Sequence, residues 1–194
     1  MDKVNIKLVE KWMEYIRNHP ENSYRFSECF WPSQTSSKFW LLDKIQSAKN
    51  IVIFGGWYGI LSQLLSEKFP EAKIISLDID PDCENVFHKI NTNPNITIKT
   101  ICMSEYTYEE TLPDLIINTS SEHVSQELYD RWHENLPKGV TYIVQGNNYF
   151  DCDEHVRCTN NLEEFVEINK IENIIYSSEL DCVQFSRYMA IGLK

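Results

Sequence analysis

A glycine-rich loop and a later acid are the residues whose spacing most clearly indicates chemistry. An apolar run that ends at Phe54 leads directly into three glycines, Gly55, Gly56 and Gly59. A second apolar run ends in Asp78, near the roughly 20-residue spacing of a nucleotide-binding βαβ unit. In such units the glycines let the backbone approach a ligand, and the acid accepts hydrogen bonds from ribose hydroxyls. The pattern favours a site for an adenosine-bearing cofactor over an ordinary tight turn.

A second group of reactive side chains follows the apolar run 114–118, in the segment from Asn118 to His123. Histidine exchanges protons near neutral pH, so His123 is a candidate general base. Glu122 could orient His123 or bind a cationic substrate. The alternative is that this segment only caps the next helix, because Glu122 would also be favourable at a helix N-terminus.

A third group follows the apolar run 140–145 and extends to His155. Two adjacent carboxamides, Asn147 and Asn148, can each donate and accept hydrogen bonds, which suits a polar small molecule. The alternative is a turn rich in asparagine and aspartate.

The glycine spacing separates two cofactor classes. A dinucleotide fingerprint needs glycine at its first, third and sixth places, and Phe54 stands at the first. This disfavours a nicotinamide cofactor. In the register Gly55-x-Trp57-x-Gly59 the chain resembles class I S-adenosylmethionine-dependent methyltransferases, with Ile53 in place of an acid before the loop and Trp57 in place of the middle glycine.

The resemblance implies that the loop wraps the methionine end of S-adenosyl-L-methionine, that Asp78 holds the ribose and that Ile79 lies on the adenine. The cofactor contacts predicted in this way are Gly55, Gly56, Trp57, Tyr58, Gly59, Asp78, Ile79, Met103 and Asn118.

Residues 34–192 also resemble a small methyltransferase-like family of bacteriophages and bacteria with no assigned substrate. The similarity lies in residues 34–41, in the GGWYG, NTSSEH and QGNNYF segments and in residues 176–192. It implies that Gln34 and Lys38 belong to an active-site cover and that Arg187 and Tyr188 are functionally important. The predicted catalytic residues are His123, Glu122 and Asn148. The predicted substrate contacts are Gln34, Lys38, Asn147, His155 and Tyr188.

The elements that must position these residues alternate along the chain. The pattern predicts an α/β fold with a doubly wound, mostly parallel Rossmann-like sheet, an antiparallel C-terminal hairpin and an N-terminal helical cap. We expect one domain over 1–194, with the cap at 1–48 and the α/β core at 49–194. Predicted strands are 50–54, 73–78, 96–101, 114–118, 140–145, 173–180 and 188–193. Predicted helices are 4–18, 36–48, 58–68, 82–91, 124–135 and 161–168, with residues 21–34 irregular.

Composition narrows the classes of partner and compartment. The net charge of −11 and the absence of a basic stripe disfavour nucleic acid as a partner. No apolar run reaches the roughly 20 residues of a membrane span, and the first residues lack the apolar core of a signal peptide, so we expect a cytoplasmic protein. The oligomeric state stays open.

The cysteines do not indicate a metal site. Six are dispersed without a CxxC pair, and no standard zinc spacing fits Cys152, Asp153, His155 and Cys158. We therefore expect structural thiols and no metal.

The sequence predicts methyl transfer from S-adenosyl-L-methionine to a small polar acceptor. One alternative is another use of that cofactor, such as aminocarboxypropyl transfer or cofactor cleavage. A second is a non-catalytic module that binds the cofactor or docks a partner.

Overall fold

A seven-stranded mixed sheet forms the centre of the computed structural model, which describes residues 5–108 and 112–194. Its strands are β1 (Asn50–Phe54), β2 (Lys73–Asp78), β3 (Ile96–Thr100), β4 (Leu115–Asn118), β5 (Thr141–Asn147), β6 (Tyr176–Asp181) and β7 (Ser186–Leu193). They lie in the order β3-β2-β1-β4-β5-β7-β6. The first five strands are parallel, and β7 runs antiparallel to both β5 and β6. The predicted parallel sheet with an antiparallel C-terminal hairpin is confirmed.

Helices cover both faces of the sheet. They are α1 (Ile6–Asn18), α2 (Ser23–Ser27), α3 (Pro32–Lys44), α4 (Ile60–Lys68), α5 (Pro81–Ile90), α6 (Gln126–Glu134) and α7 (Leu162–Ile168). Short 3-10 turns lie at Pro20–Asn22, Glu28–Phe30 and Ser121–His123. Within the described ranges, no helix combines the length and the apolar character that crossing a membrane requires.

The strands alternate their side chains between two cores, as parallel strands buried on both faces must. Ile51 and Ile53 point to one core, which contains buried residues of α1 to α5. Val52 and Phe54 point to the other core, where Trp132 of α6 packs. Because one apolar core joins α1, α2 and α3 to the sheet, these helices cover one of its faces.

The sheet has a topological switch point between β1 and β4. From β1 the chain moves outward through β2 to β3, and then returns to place β4 and β5 on the other side of β1. Ligands of open α/β sheets bind in the crevice outside the carboxyl ends of strands at such a point. The glycine loop after β1 and the polar segment after β4 therefore meet where a ligand is expected.

The N-terminal part departs from the prediction in two places. Residues 21–34 were expected to be irregular but form short helical segments and the start of α3. That helix begins at Pro32, and not at the predicted residue 36, because proline supplies a preset φ at the first helical position and has no N–H to leave unpaired. The segment thus packs as a compact helical layer.

Strand β5 is also longer than expected. It was predicted to end at residue 145, but it continues to Asn147, which lies opposite Arg187 of β7. The antiparallel partner thus gives Asn147 a strand position, and Asn148 is the first residue beyond the strand.

Candidate functional site

The glycine loop has the tight left-handed turns that its sequence suggests. Gly55 and Gly59 have φ values of 67° and 75°, and Trp57 adopts a φ of 47° despite its side chain. A Cβ at Gly55 would lie 1.9 Å from the hydroxyl oxygen of Ser120. The glycine therefore lets the loop after β1 approach the segment after β4 closely.

Asp78 braces the glycine loop from the end of β2. Its Oδ2 accepts a hydrogen bond from the backbone N–H of Trp57 at 2.8 Å, and its Oδ1 accepts one from Asp80 at 3.1 Å. Asp80 caps α5, with Pro81 at the first helical position. Each carboxylate oxygen of Asp78 keeps a second lone pair for another donor.

Aromatic and charged groups of the helical layer cover the same loop. Tyr58 is buried and stacks on Phe26 of α2 with ring centroids 5.7 Å apart. Arg25 donates a hydrogen bond to Asp80, and its guanidinium lies 5.5 Å from the centroid of the Tyr58 ring. Arg25 has no local sequence signal for this position, because its partners are more than 30 positions away along the chain.

A cavity of about 240 Å³ lies between the helical layer, the glycine loop and the segments after β4 and β5. It is lined by Cys29, Trp31, Ser33, Gln34, Ser37, Lys38, Gly55, Gly56, Trp57, Tyr58, Ile60, Leu61, Thr119, Ser120, Glu122, His123, Gln145, Tyr149, Cys152, His155, Gln184, Phe185 and Arg187. One wall is thus a backbone-rich loop, and the opposite wall carries ionisable side chains.

Lys38 of α3 is the cation of the cover. Its Nζ donates to the backbone oxygens of Cys29 and Gln34, both at 3.3 Å, and to Oε1 of Gln34 at 3.2 Å. Burial, reinforced by the charge of Arg187, lowers the pKa of Lys38 to about 8. This places an amine in the cavity that titrates close to neutral pH.

Glu122 is the buried acid of the opposite wall, with 2% of its surface exposed. Its Oε1 accepts a hydrogen bond from Nδ2 of Asn147 at 2.5 Å and lies 3.5 Å from Nη1 of Arg187, which is 4% exposed. The residue belongs to a short 3-10 turn, and not to the first turn of α6. Asn147 and Arg187 come from the paired strands β5 and β7, so the sheet itself fixes the position of the carboxylate.

Two imidazoles lie beside this carboxylate. His123 is exposed and His155 is partly buried, and their ring centroids are 4.6 Å apart. The ligand atoms of Glu122, His123 and His155 all lie within 4.8 Å of one another. The backbone oxygen of Glu122 accepts from the N–H groups of Val156 and Arg157, which holds the segment around His155 against the turn.

The structure brings nine of the predicted site residues to the cavity: Gln34, Lys38, Gly55, Gly56, Trp57, Tyr58, Glu122, His123 and His155. Those that do not line it are Gly59, Asp78, Ile79, Met103, Asn118, Asn147, Asn148 and Tyr188.

Among the second set, Asp78 and Ile79 lie at the end of β2, where Ile79 exposes 71% of its surface. Gly59 serves packing, because a Cβ there would lie 2.4 Å from the Phe87 ring. Met103 packs against the second core, and Asn118 accepts from the N–H of Ser120 at 3.0 Å.

Three predicted catalytic or substrate residues instead support the wall. Asn147 holds Glu122, as described above. Asn148 accepts from the backbone N–H of Ser186 at 2.6 Å and so pins the end of the hairpin. Tyr188 is 1% exposed and donates to the backbone oxygen of Asn160 at 3.1 Å. Asn147 and Tyr188 are buried strand residues whose side chains contact protein, whereas Asn148 is half-buried just after β5. The direct roles that the sequence suggests for these three residues stay predictions.

Sequence reasoning missed two supports of the cavity. The Nε of Arg157 donates to the Ser121 oxygen at 3.1 Å, and its guanidinium lies 3.9 Å from the centroid of the Tyr129 ring. Gln145 of β5 donates to the backbone oxygen of Ser37 at 3.2 Å, which ties the sheet to the cover. Neither contact has a local sequence signal, because both join distant segments.

No protein-family model and no curated protein matches the chain. Solved structures do. The N-methyltransferase NodS from Bradyrhizobium japonicum WM9 in complex with S-adenosyl-L-homocysteine has a TM-score of 0.65 at 12% identity, over 93% of this chain and 96% of that one.

Two other solved structures show the same fold. The plantazolicin methyltransferase BpumL, in complex with a triazolic desmethylPZN analog and S-adenosylhomocysteine, has a TM-score of 0.61 at 11% identity, over 98% of this chain and 100% of that one. PigF with S-adenosylhomocysteine has a TM-score of 0.65 at 12% identity, over 94% of this chain and 62% of that one. The chain therefore has the fold of these methyltransferases, as the resemblance in its sequence implied.

Proposed function

We propose that this protein is an S-adenosyl-L-methionine-dependent methyltransferase that acts on a small polar acceptor. The observation that carries the proposal is the single cavity that joins the glycine loop to a wall of ionisable side chains. A fold supports many functions, so the proposal depends on this site and takes support from the neighbours. NodS, BpumL and PigF, which share the fold, were crystallised with the demethylated cofactor.

The cofactor end of the site supports an adenosyl group. Within residues 5–108 and 112–194, each carboxylate oxygen of Asp78 accepts one backbone N–H, and the second lone pair of each oxygen suits a ribose hydroxyl. The exposed side chain of Ile79 follows directly and offers an apolar surface to the adenine. The methionine end then lies along Gly55 to Tyr58, where left-handed turns leave backbone groups free to approach it.

The acceptor end supports a small molecule. Drug-sized ligands occupy pockets of about 300–1,000 Å³, whereas this cavity of about 240 Å³ also receives the methionine end of the cofactor. Gln34 and Lys38 on the cover face Glu122, His123 and His155 on the wall. An acceptor between them would be polar and held from two sides.

The chemistry is a displacement at the methyl carbon. A lone pair of an acceptor oxygen or nitrogen forms the new bond to carbon while the carbon–sulfur bond breaks, and its electrons stay on the sulfur of S-adenosylhomocysteine. The acceptor loses a proton to an adjacent base, the role predicted for His123, or to water. Holding the two reactants in line supplies most of the rate enhancement, which the two-walled cavity favours.

The test uses cofactor with a labelled methyl group, incubated with the protein and a deproteinised cell extract. We expect label in compounds of small mass, together with an equal amount of S-adenosylhomocysteine. Gly139→Ala, a change in a turn with open space around it, is the control and should leave turnover unchanged, whereas Asp78→Asn should reduce it through weaker cofactor binding.

Other products would contradict the proposal in distinct ways. Methylthioadenosine would show that the cofactor is cleaved or transfers its aminocarboxypropyl group. Label in added protein or nucleic acid would contradict the small acceptor. Cofactor binding without any product in the extract would favour a non-catalytic module.

A further inference from the structure

The wall of ionisable side chains contains a cluster of three residues that methyl transfer alone does not require: Glu122, His123 and His155. Their ligand atoms lie within 4.8 Å of one another. Around an ion with bonds of about 2.0–2.2 Å, neighbouring ligand atoms lie about 3–4 Å apart. Small side-chain rotations therefore bring all three groups onto one ion.

The Glu122 carboxylate has one oxygen that lacks a partner. Its Oε1 is held by Asn147 and Arg187, but its Oε2 is buried and meets no hydrogen-bond donor in the part of the chain that the structure describes. Leaving a buried acceptor without a partner is unfavourable. Since the residue lines the cavity, a cation bound there would satisfy this oxygen.

His155 is oriented as metal-bound histidines are. Its Nδ1 lies 2.9 Å from the backbone oxygen of Tyr149, to which it donates, and this leaves the lone pair on Nε2. Histidine ligands in metal sites characteristically donate their other ring nitrogen to a carbonyl or carboxylate, which fixes the tautomer and the ring. The second imidazole, His123, is exposed and free to turn toward the same point.

We propose that Glu122 Oε2, His123 and His155 bind one divalent transition-metal ion. Two imidazoles and one carboxylate suit zinc and its first-row neighbours better than magnesium or calcium, which prefer oxygen ligands. Three protein ligands leave coordination positions open toward the cavity. If the proposed function is correct, these positions hold the acceptor's oxygen or nitrogen, and the ion makes its proton easier to lose to water. His123 would then act as a ligand, not as the base predicted from the sequence.

The surrounding charges determine where the ion lies. Arg187 adjoins Oε1, so we assign the ion to Oε2, the oxygen that has no hydrogen-bond partner among the described residues. The cation Lys38 belongs to the cover and lines the same cavity. Two exposed acids, Asp151 and Asp153, precede His155 and raise the local attraction for cations.

The two cysteines that are close to His155 in the sequence, Cys152 and Cys158, do not belong to the cluster of three residues. The Cys158 thiol donates to Asn147 Oδ1 and to the Tyr149 oxygen, both at 3.3 Å, and thus faces protein acceptors. Cys152 lines the cavity but is not among the three clustered residues. The proposed site is therefore a nitrogen and oxygen site without thiolate.

The test is a titration of chelator-treated protein with Co²⁺, followed by its absorption spectrum, and with Zn²⁺ in competition with a chromophoric chelator. We expect one equivalent to bind, with weak d–d bands and no thiolate charge-transfer band. His155→Ala should weaken binding more than about 100-fold, beyond the 10–100-fold that loss of a supporting residue causes. His88→Ala, which removes an exposed histidine 3.7 Å from Glu84, is the control and should bind as the wild type does.

S-adenosylhomocysteine affinity, measured without metal, serves as the folding check for each variant. If His155→Ala loses it, His123→Ala, at an exposed position, replaces that variant. Failure of wild-type protein to bind one equivalent, equal affinity in the ligand variant, or a strong thiolate band would each overturn the metal site. Metal binding without any affinity for the adenosyl ligands would instead contradict the proposed function and leave the metal site standing.

Discussion

Replacing Lys38 with methionine should change how stability depends on pH. The wild-type amine lies under the helical cover, and burial lowers its pKa from an ordinary 10.5 to about 8. Methionine keeps most of the apolar length of the side chain and removes the titrating group. The comparison therefore isolates the free energy of holding an ammonium group in this cavity.

The sign follows from proton binding in the two states. Between pH 8 and 10.5 the unfolded chain holds the Lys38 proton and the folded chain has mostly released it, so the wild type gains stability as pH rises. The penalty is fully present below pH 8 and disappears above 10.5. With about 1.4 kcal/mol per pKa unit, it amounts to about 3 kcal/mol at pH 7 and about 1 kcal/mol at pH 9.5.

Urea unfolding at pH 7 and pH 9.5 measures this difference. The wild type should gain about 2 kcal/mol relative to Lys38→Met over that interval, whatever constant offset the lost hydrogen bonds cause. Lys138→Met, at an exposed turn, is the matched control and should track the wild type. A Lys38→Met profile parallel to the wild type would refute the lowered pKa.

Two further predictions concern the cofactor end. Gly55→Ala should destabilise the protein by about 2–4 kcal/mol, because it adds a positive-φ penalty of about 1 kcal/mol to a steric clash with Ser120. Gly139→Ala, with φ 80° but open space around the Cβ, should lower the free energy of unfolding by the positive-φ penalty alone. Equal losses of unfolding free energy in urea would refute the close approach of Gly55 to Ser120. Asp78→Asn should raise the dissociation constant of S-adenosylhomocysteine about 10–100-fold, the loss of one charged hydrogen bond, while Asp82→Asn on α5 changes it little; calorimetry that finds no difference between the two would contradict the ribose role.

The sheet could be predicted from sequence because its signals are local. A strand or its end is indicated within a few residues by an apolar run, by the glycine loop or by Asp78. The fold then follows, since parallel strands with helical crossovers have few allowed arrangements. The start of α3 at Pro32 was missed, although proline is itself a helix-start signal.

The site could be predicted only where one segment carries it. Glu122, His123 and His155 could be selected as candidates because ionisable residues follow apolar strands, and all three line the cavity. The support for Glu122 was not found, because Asn147 and Arg187 become its neighbours only when β7 pairs with β5. Register across distant strands decides which polar side chain faces a cavity and which faces protein, and one sequence does not show it.

The proposed metal site illustrates the same limit. Sequence spacing directed attention to Cys152, His155 and Cys158 because they are close along the chain. The fold instead joins His155 to a turn more than 30 residues earlier. Ligands that come from separate strands have no fixed spacing in the sequence, so a structure is needed to identify them as a set.

The most direct test of the account is calorimetric titration of the purified protein with S-adenosyl-L-methionine, S-adenosylhomocysteine and NAD, with mass spectrometry of the recovered ligand. We expect the two sulfur-bearing ligands to bind at a single site with a dissociation constant on the order of 1–100 μM, corresponding to about 5–8 kcal/mol, and NAD not to bind. If neither sulfur-bearing ligand binds, the cavity beside Gly55 and Trp57 is not a cofactor site, and the proposed methyl transfer is wrong.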